Sequence, residues 1–74
     1  MSTLIMNALI AEANAKEAKA VANLQNYMSN SVGVGEHPDV VAECKKLVME
    51  IADARELRET INEMIENNNK KNQE

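Results

Sequence analysis

The sequence predicts an all-α fold, an antiparallel helical hairpin that dimerises into a four-helix bundle. Two long stretches, one on each side of a Gly-containing segment, contain no Gly and no helix-breaking Pro in their interiors. Apolar residues recur in both stretches at helical spacing. A chain of 74 residues with one cysteine has neither a large core nor a disulfide to stabilise it, so oligomerisation is the expected substitute.

The first helix is predicted from about residue 3 to residue 30. This stretch is rich in Ala, Leu, Glu, Lys and Met, which all favour helix. Ser2 or Thr3 can cap its start. The residues around Gly33 and Gly35 end the helix and turn the chain. The loop, at about residues 31–37, is short enough to favour antiparallel neighbours.

The second helix is predicted from about residue 38 to residue 66. Pro38 is tolerated at the first helical position, and Asp39 in the first turn interacts favourably with the positive end of the helix dipole. The polar segment 67–74 has no apolar residue to bury, so a disordered tail is expected there. The hairpin domain therefore spans residues 1–66.

The second predicted helix carries an apolar seam at alternating steps of four and three, the heptad pattern of packed helices. The seam is formed by Val40, Cys44, Leu47, Ile51, Ala54, Arg58, Ile61 and Ile65. It is widened by Val41, Val48, Leu57 and Met64. A stripe this wide is typical of a helix that contacts two neighbours.

The first predicted helix has two apolar faces, about a third of a turn apart. The small-residue face consists of Ala8, Ala11, Ala15, Ala18 and Ala22. The bulkier face consists of Met6, Ile10, Ala13, Ala20, Val21, Leu24, Tyr27 and Met28. One face is expected to pack within the hairpin and the other against a second protomer.

Three charged residues stand out as candidates for a polar role in specificity: Glu17, Arg55 and Arg58. Glu17 interrupts the bulkier face of the first helix, and Arg58 interrupts the seam of the second. With Asn30 opposite Pro38, Glu17 and Arg58 lie about 10 Å apart along the axis. We therefore expect Glu17 to pair with Arg55 or Arg58 between protomers rather than within one, or else to reach solvent.

No residue pattern specifies catalysis, a cofactor or a metal. Cys44 is the only cysteine, and its spacing from His37 matches no zinc pattern. The Gly33-Val34-Gly35 segment lacks the preceding strand and the following Lys-Ser or Lys-Thr of a phosphate-binding loop. The sequence therefore predicts a protein that is not an enzyme and has no cofactor.

Composition narrows the class of partner to protein. The net charge of -4 and a single aromatic residue, Tyr27, disfavour nucleic acid. No apolar run reaches the roughly 20 residues that span a bilayer. The N-terminus lacks the features of a secretory signal, and a lone thiol suits a reducing compartment, so a cytoplasmic location is expected. The expected partner is a second copy of the chain.

The segment Val32-Gly33-Val34-Gly35-Glu36-His37-Pro38-Asp39-Val40-Val41, followed by Ile51-Ala52-Asp53-Ala54, resembles small helical-hairpin proteins encoded by tailed bacteriophages, particularly marine ones. The likeness covers about residues 32–58. It implies a viral source and action in the host cytoplasm.

The leading functional hypothesis is a homo-oligomeric interaction or structural module. The alternative is a small regulator that binds a host protein, or another different protein, through an apolar helix face.

Overall fold

The computed structural model describes the backbone of residues 3–29 and 39–73, and the side chains within these ranges as far as residue 69. In these ranges there are two α-helices, α1 (Thr3–Ser29) and α2 (Val40–Gln73), and no strand. The predicted loop, with His37 and both glycines, lies outside the described residues. The all-α prediction is confirmed for the part of the chain that the structure describes.

The two helices pack along one another and run antiparallel. Tyr27, near the end of α1, lines a groove together with Leu47, near the start of α2. Asn14, earlier in α1, accepts a hydrogen bond from Arg58, later in α2. The molecule measures 59 × 17 × 14 Å, so it is a rod two helices wide and one helix thick. Within residues 3–29 and 39–73, no third layer covers the outer faces of the helices.

The bulkier face of α1 packs against α2. Ala13 and Ala20 on this face are buried, with 1% of their surface exposed. Half-buried residues continue the same steps of four and three along the helix: Met6, Ile10, Glu17, Leu24 and Tyr27. On α2 the buried residues are Leu47, Ala54 and Ile61, and the half-buried ones between and beyond them include Val40, Cys44, Ile51, Arg58, Ile65 and Asn68. Two heptad seams therefore meet along the hairpin.

The start of α2 differs from the prediction by about two residues. The helix begins at Val40, and Asp39 precedes it as the N-cap rather than lying in its first turn. The Ala42 N–H donates to the Asp39 carboxylate (3.0 Å), and the Glu43 N–H donates to the Asp39 carbonyl (3.2 Å). The carboxylate thus satisfies an amide that the first turn of a helix leaves without a partner, which favours Asp39 as the cap.

α2 continues to Gln73, so the helix extends past its predicted end at about residue 66 into the segment for which a disordered tail was expected. Once a helix is formed, each added residue costs little, since nucleation is the unfavourable step. The register of the hairpin places the last turns of α2 level with the start of α1, and Asn68 is half-buried there. A neighbouring helix therefore accompanies α2 almost to its end. Over the described ranges, neither helix is long and apolar enough to cross a membrane.

Candidate functional site

A polar cluster crosses the seam near its middle. The Glu17 carboxylate accepts hydrogen bonds from two arginines of α2, one on each oxygen. Arg55 Nε lies 2.6 Å from Oε2, and Arg58 Nη1 lies 2.7 Å from Oε1. Arg58 Nη1 also donates to the Asn14 side-chain oxygen at 2.8 Å. One carboxylate and one amide of α1 thus hold two guanidinium groups of α2 by short charge-assisted bonds.

The members of the cluster differ in exposure. The Glu17 side chain is 19% exposed, that of Arg58 30% and that of Arg55 64%. The hydrogen bond from Arg55 and then that from Arg58 lower the pKa of Glu17, and partial desolvation opposes them. Glu17 therefore remains a carboxylate at neutral pH. Because Arg55 is mostly in solvent, its ion pair is screened more strongly than that of Arg58.

The prediction that Glu17 pairs between protomers rather than within one is corrected here, because both ion pairs form within the chain. The assumed register placed Glu17 beside Ile51, whereas its partners are four and seven residues further along α2. The observed helix ends, Ser29 and Val40, move the assumed pairing of Asn30 with Pro38 by only one residue, so the helix bounds alone do not account for the observed register.

Sequence reasoning missed Asn14 as part of this cluster. Its position three residues before Glu17 places both side chains on the same part of α1, which was the available signal. Asn14 accepts from Arg58, so it shares the arginine with Glu17. No buried side-chain nitrogen or oxygen within residues 3–29 and 39–69 lacks a hydrogen-bond partner.

The predicted core and interface residues fall into three groups. The buried ones are Leu47, Ala54 and Ile61. The half-buried ones are Ile10, Val21, Leu24, Val40, Cys44, Ile51 and Ile65. The exposed ones are Ala11, Ala15, Ala18, Ala22 and Met28. The small-residue face of α1 is thus entirely exposed in the single chain, and Met28, assigned to the bulkier face, is 73% exposed.

The residues that widen the seam of α2 lie on two different sides of the hairpin. Val41 and Val48 are two and one heptads before Arg55, so they share the side on which Arg55 meets Glu17. Leu57 and Met64 are one and two heptads after Glu50. Glu50 lines an open groove of about 700 Å³ on the opposite side. Each side therefore carries exposed apolar residues over only half of its length.

The groove is polar and open. Its lining residues include Lys16, Lys19, Asn23, Glu43, Lys46 and Glu50, together with Tyr27 and Leu47. Both signs of charge are present on a wide, open surface, which suits solvation better than selective binding of a small molecule. In the described stretches no group of three or more His, Cys, Asp or Glu side chains could hold a metal ion.

Comparison with known proteins identifies no relative: no family model, no curated protein and no solved structure matches this chain. The resemblance to phage proteins therefore stays a prediction.

Proposed function

We propose that this chain is a non-enzymatic, homo-oligomeric helical module that works as a dimer, with two hairpins forming a four-helix bundle. The observation that carries the proposal is the small core of the single hairpin. Over the described residues five apolar side chains are buried, and three of them are alanines: Ala13, Ala20, Leu47, Ala54 and Ile61. Eight large apolar residues are at least 44% exposed: Leu4, Ile5, Met28, Val41, Val48, Met49, Leu57 and Met64.

The energetic argument favours a partner. Alanine buries little apolar surface, so three of the five core residues add little to the free energy of folding. Ordering the backbone of each residue costs about 1 to 2 kcal/mol, and a long hairpin orders many residues. Small domains usually need a disulfide, a metal or association to offset this cost. Association is the option for which this chain has exposed apolar surface.

A second copy is the partner that the sequence pattern supports. α1 carries two apolar faces, and α2 covers one of them. In a two-fold dimer, the same surface of both subunits forms the interface. The uncovered face of α1 can therefore pack against the same face of a second copy. A different protein could also cover exposed apolar residues, and it is the rival that the experiment must separate.

The deciding experiment is mass measurement by light scattering on the purified chain, combined with thermal melting at several concentrations. We expect twice the chain mass of 8.2 kDa and a melting temperature that rises with protein concentration. A chain that remains monomeric at tens of micromolar, with a melting temperature independent of concentration, would refute the homodimer. Capture of a different protein by such a monomer would then support the heterologous function.

A further inference from the structure

We infer that the outward face of α1 is the dimer interface and that two α1 helices pack there antiparallel, with Glu12 of each subunit beside the partner's Lys19. This inference rests on the proposed homodimer and goes further, because it names the face, the direction and the register. Since α2 lies on the far side of each α1, it also replaces the four-helix bundle with four helices side by side, the two α1 helices at the centre. The outward face consists of Leu4, Ala8, Ala11, Ala15, Ala18 and Ala22.

The outward face points away from α2. Ala15 and Ala22 each follow a buried alanine by two residues, which is about 200° around the helix axis. The two faces of α1 are therefore about half a turn apart, and the predicted third of a turn is corrected. All six residues of the face are exposed in the single chain, and Leu4 is 83% exposed. Their spacing of four and three is the spacing that the inner face of α1 uses to pack against α2. α1 therefore has a second seam with no helix on it.

Alanine at five successive positions permits close contact with another helix. Helix axes approach to about 8 to 10 Å depending on the side chains between them, and small side chains allow the short end of this range. At such distances the backbones themselves make van der Waals contacts, which partly compensates for the small area of each alanine. The feature does not by itself say which helix fills the seam.

The charges beside the outward face identify the occupant. Glu12 and Lys19 are seven residues apart, so they lie on the same flank of this face. Neither forms an ion pair with any residue that the structure describes: Glu12 does not bond Lys16 one turn away, and Lys19 does not bond Glu50 across the groove. Two opposite charges on one flank are what an antiparallel copy of the same helix would complement.

A symmetric antiparallel pair brings the same flank of both helices together. We place the two-fold axis beside Ala15. Each residue before Ala15 is then level with the partner residue that lies equally far after it. Glu12 is then level with position 18 and lies beside the partner's Lys19, and the symmetry repeats the ion pair. The same register sets Ala8 against the partner's Ala22. Alanine overlap and charge pairing, which are independent features, both favour this register.

A parallel pair has no such charge pairing. Each residue is then level with its own copy, and opposite flanks meet along the interface. Glu12 would lie beside asparagines of the partner, at positions 7 and 14, and Lys19 would lie beside positions 14 and 21. Both charges would lack a partner of opposite sign. The antiparallel arrangement is therefore the one that the charge pattern favours.

Cysteine cross-linking tests the face, the direction and the register in the full chain. In a Cys44→Ala background, Ala15→Cys should form a disulfide-linked dimer under mild oxidation, because the two copies of this residue meet at the symmetry axis. Ala8→Cys alone should not cross-link, since its copies are separated by fourteen residues, about 21 Å. An equimolar mixture of Ala8→Cys and Ala22→Cys should form the mixed dimer. Glu56→Cys, on the outer surface of α2, is the matched control and should stay unlinked.

Charge exchange tests the ion pairs without changing the apolar face. Glu12→Lys or Lys19→Glu alone should weaken the dimer about tenfold, because two attractive pairs become repulsive. The double variant restores both pairs and should dimerise as the native chain does. Mixing the two single variants should yield a heterodimer in preference to either homodimer.

The outcomes separate the inference from the proposed function. A stable dimer in which Ala15→Cys fails to cross-link, or in which Ala8→Cys links to itself, would overturn the inference and leave the homodimer intact. A dimer affinity that is unchanged by Glu12→Lys and by Lys19→Glu would contradict the proposed ion pairs. A monomer at every concentration would overturn both proposals.

Discussion

The seam between α1 and α2 has apolar layers toward both ends and one polar layer near its middle. The apolar layers contain Ala13, Ala20, Leu47, Ala54 and Ile61. The polar layer contains Asn14, Glu17, Arg55 and Arg58. Apolar contacts are non-directional and scale with buried area, whereas hydrogen bonds between ions require defined atoms at short distance. The two regions therefore contribute differently to the same hairpin.

The apolar layers permit more than one alignment of the helices. A slip of α1 by one heptad would again place an alanine of α1 in the seam, since Ala13 and Ala20 are seven residues apart. The same slip would move Glu17 from Arg58 to Ile51 or Ile65. The carboxylate and the guanidinium groups would then lose their partners in a partly dry seam. We expect the apolar layers to drive association and the polar layer to select the register.

The largest expected effect is in the apolar layers. Leu47→Ala should destabilise the protein by about 2 to 5 kcal/mol, because it removes a buried side chain from a core with few large residues. Leu47 is 8% exposed, whereas Leu57 on the same helix is 44% exposed, so Leu57→Ala is the matched control. We expect Leu57→Ala to lower the free energy of unfolding by less than half as much as Leu47→Ala does. Equal losses, measured by urea unfolding followed by circular dichroism, would contradict the assigned core.

The next effect is in the polar layer and takes the form of coupling. Glu17→Ala, Arg58→Ala and the double variant define a thermodynamic cycle. The double variant should lose much less free energy of unfolding than the two single variants lose in sum. The cycle with Arg55 should show weaker coupling, because Arg55 is 64% exposed and Arg58 30%. Arg58→Ala combined with Glu12→Ala is the control and should be additive. Additive losses in both Glu17 cycles would show that the ion pairs contribute nothing measurable.

The selection of register can be measured on the same residues. A chain with Glu17→Leu and Arg58→Leu should keep its helix content, because replacing an ion pair by apolar residues is often neutral for stability. Its backbone amides should give more than one set of NMR signals, since several registers become similar in energy. A single sharp set would show that the apolar layers alone specify the alignment.

Local periodicity accounts for what the sequence could predict. The spacing of four and three from Val40 to Ile65 coincides with the buried and half-buried positions of α2, because each step depends only on helix geometry. Breaker-free stretches likewise place α1 close to its observed bounds, Thr3–Ser29. The position of Glu17 in an apolar face was also visible, since it needs no knowledge of the second helix.

Contacts between distant residues account for what could not be predicted. Pairing Glu17 with Arg58 depends on how the chain leaves one helix and enters the next, and the sequence gives only the approximate length of that connection. α2 continues to Gln73 although its asparagine-rich segment has poor helix propensity, and Asn68 in this segment is half-buried. The start of α2 was ambiguous because Pro38 and Asp39 each have a favourable place near a helix N-terminus.

The smallest expected effect is a pH dependence that belongs to the polar layer. Hydrogen bonds from Arg55 and Arg58 hold the pKa of Glu17 below its ordinary value of 4.5. Between the folded and unfolded pKa values, the unfolded chain binds more protons, so acid favours unfolding. The stability that Glu17 contributes is therefore complete above pH 4.5 and is lost as the pH falls through the lower, folded pKa. Glu17→Gln removes this contribution at every pH.

Melting temperatures recorded from about pH 6 down to about pH 3 would isolate this effect, because other carboxylates titrate in the same range and must be subtracted. We expect the Glu17→Gln chain to lose less of its melting temperature on acidification than the native chain. Glu56→Gln removes a carboxylate from the outer surface of α2, and its acid profile should parallel the native one. Parallel profiles for both variants would mean that the arginines hold Glu17 no more strongly in the folded chain than water does in the unfolded one. The ion pairs would then add no charge-dependent free energy of folding. The polar layer would set the register of the helices only through the Asn14 hydrogen bond and the shapes of its side chains.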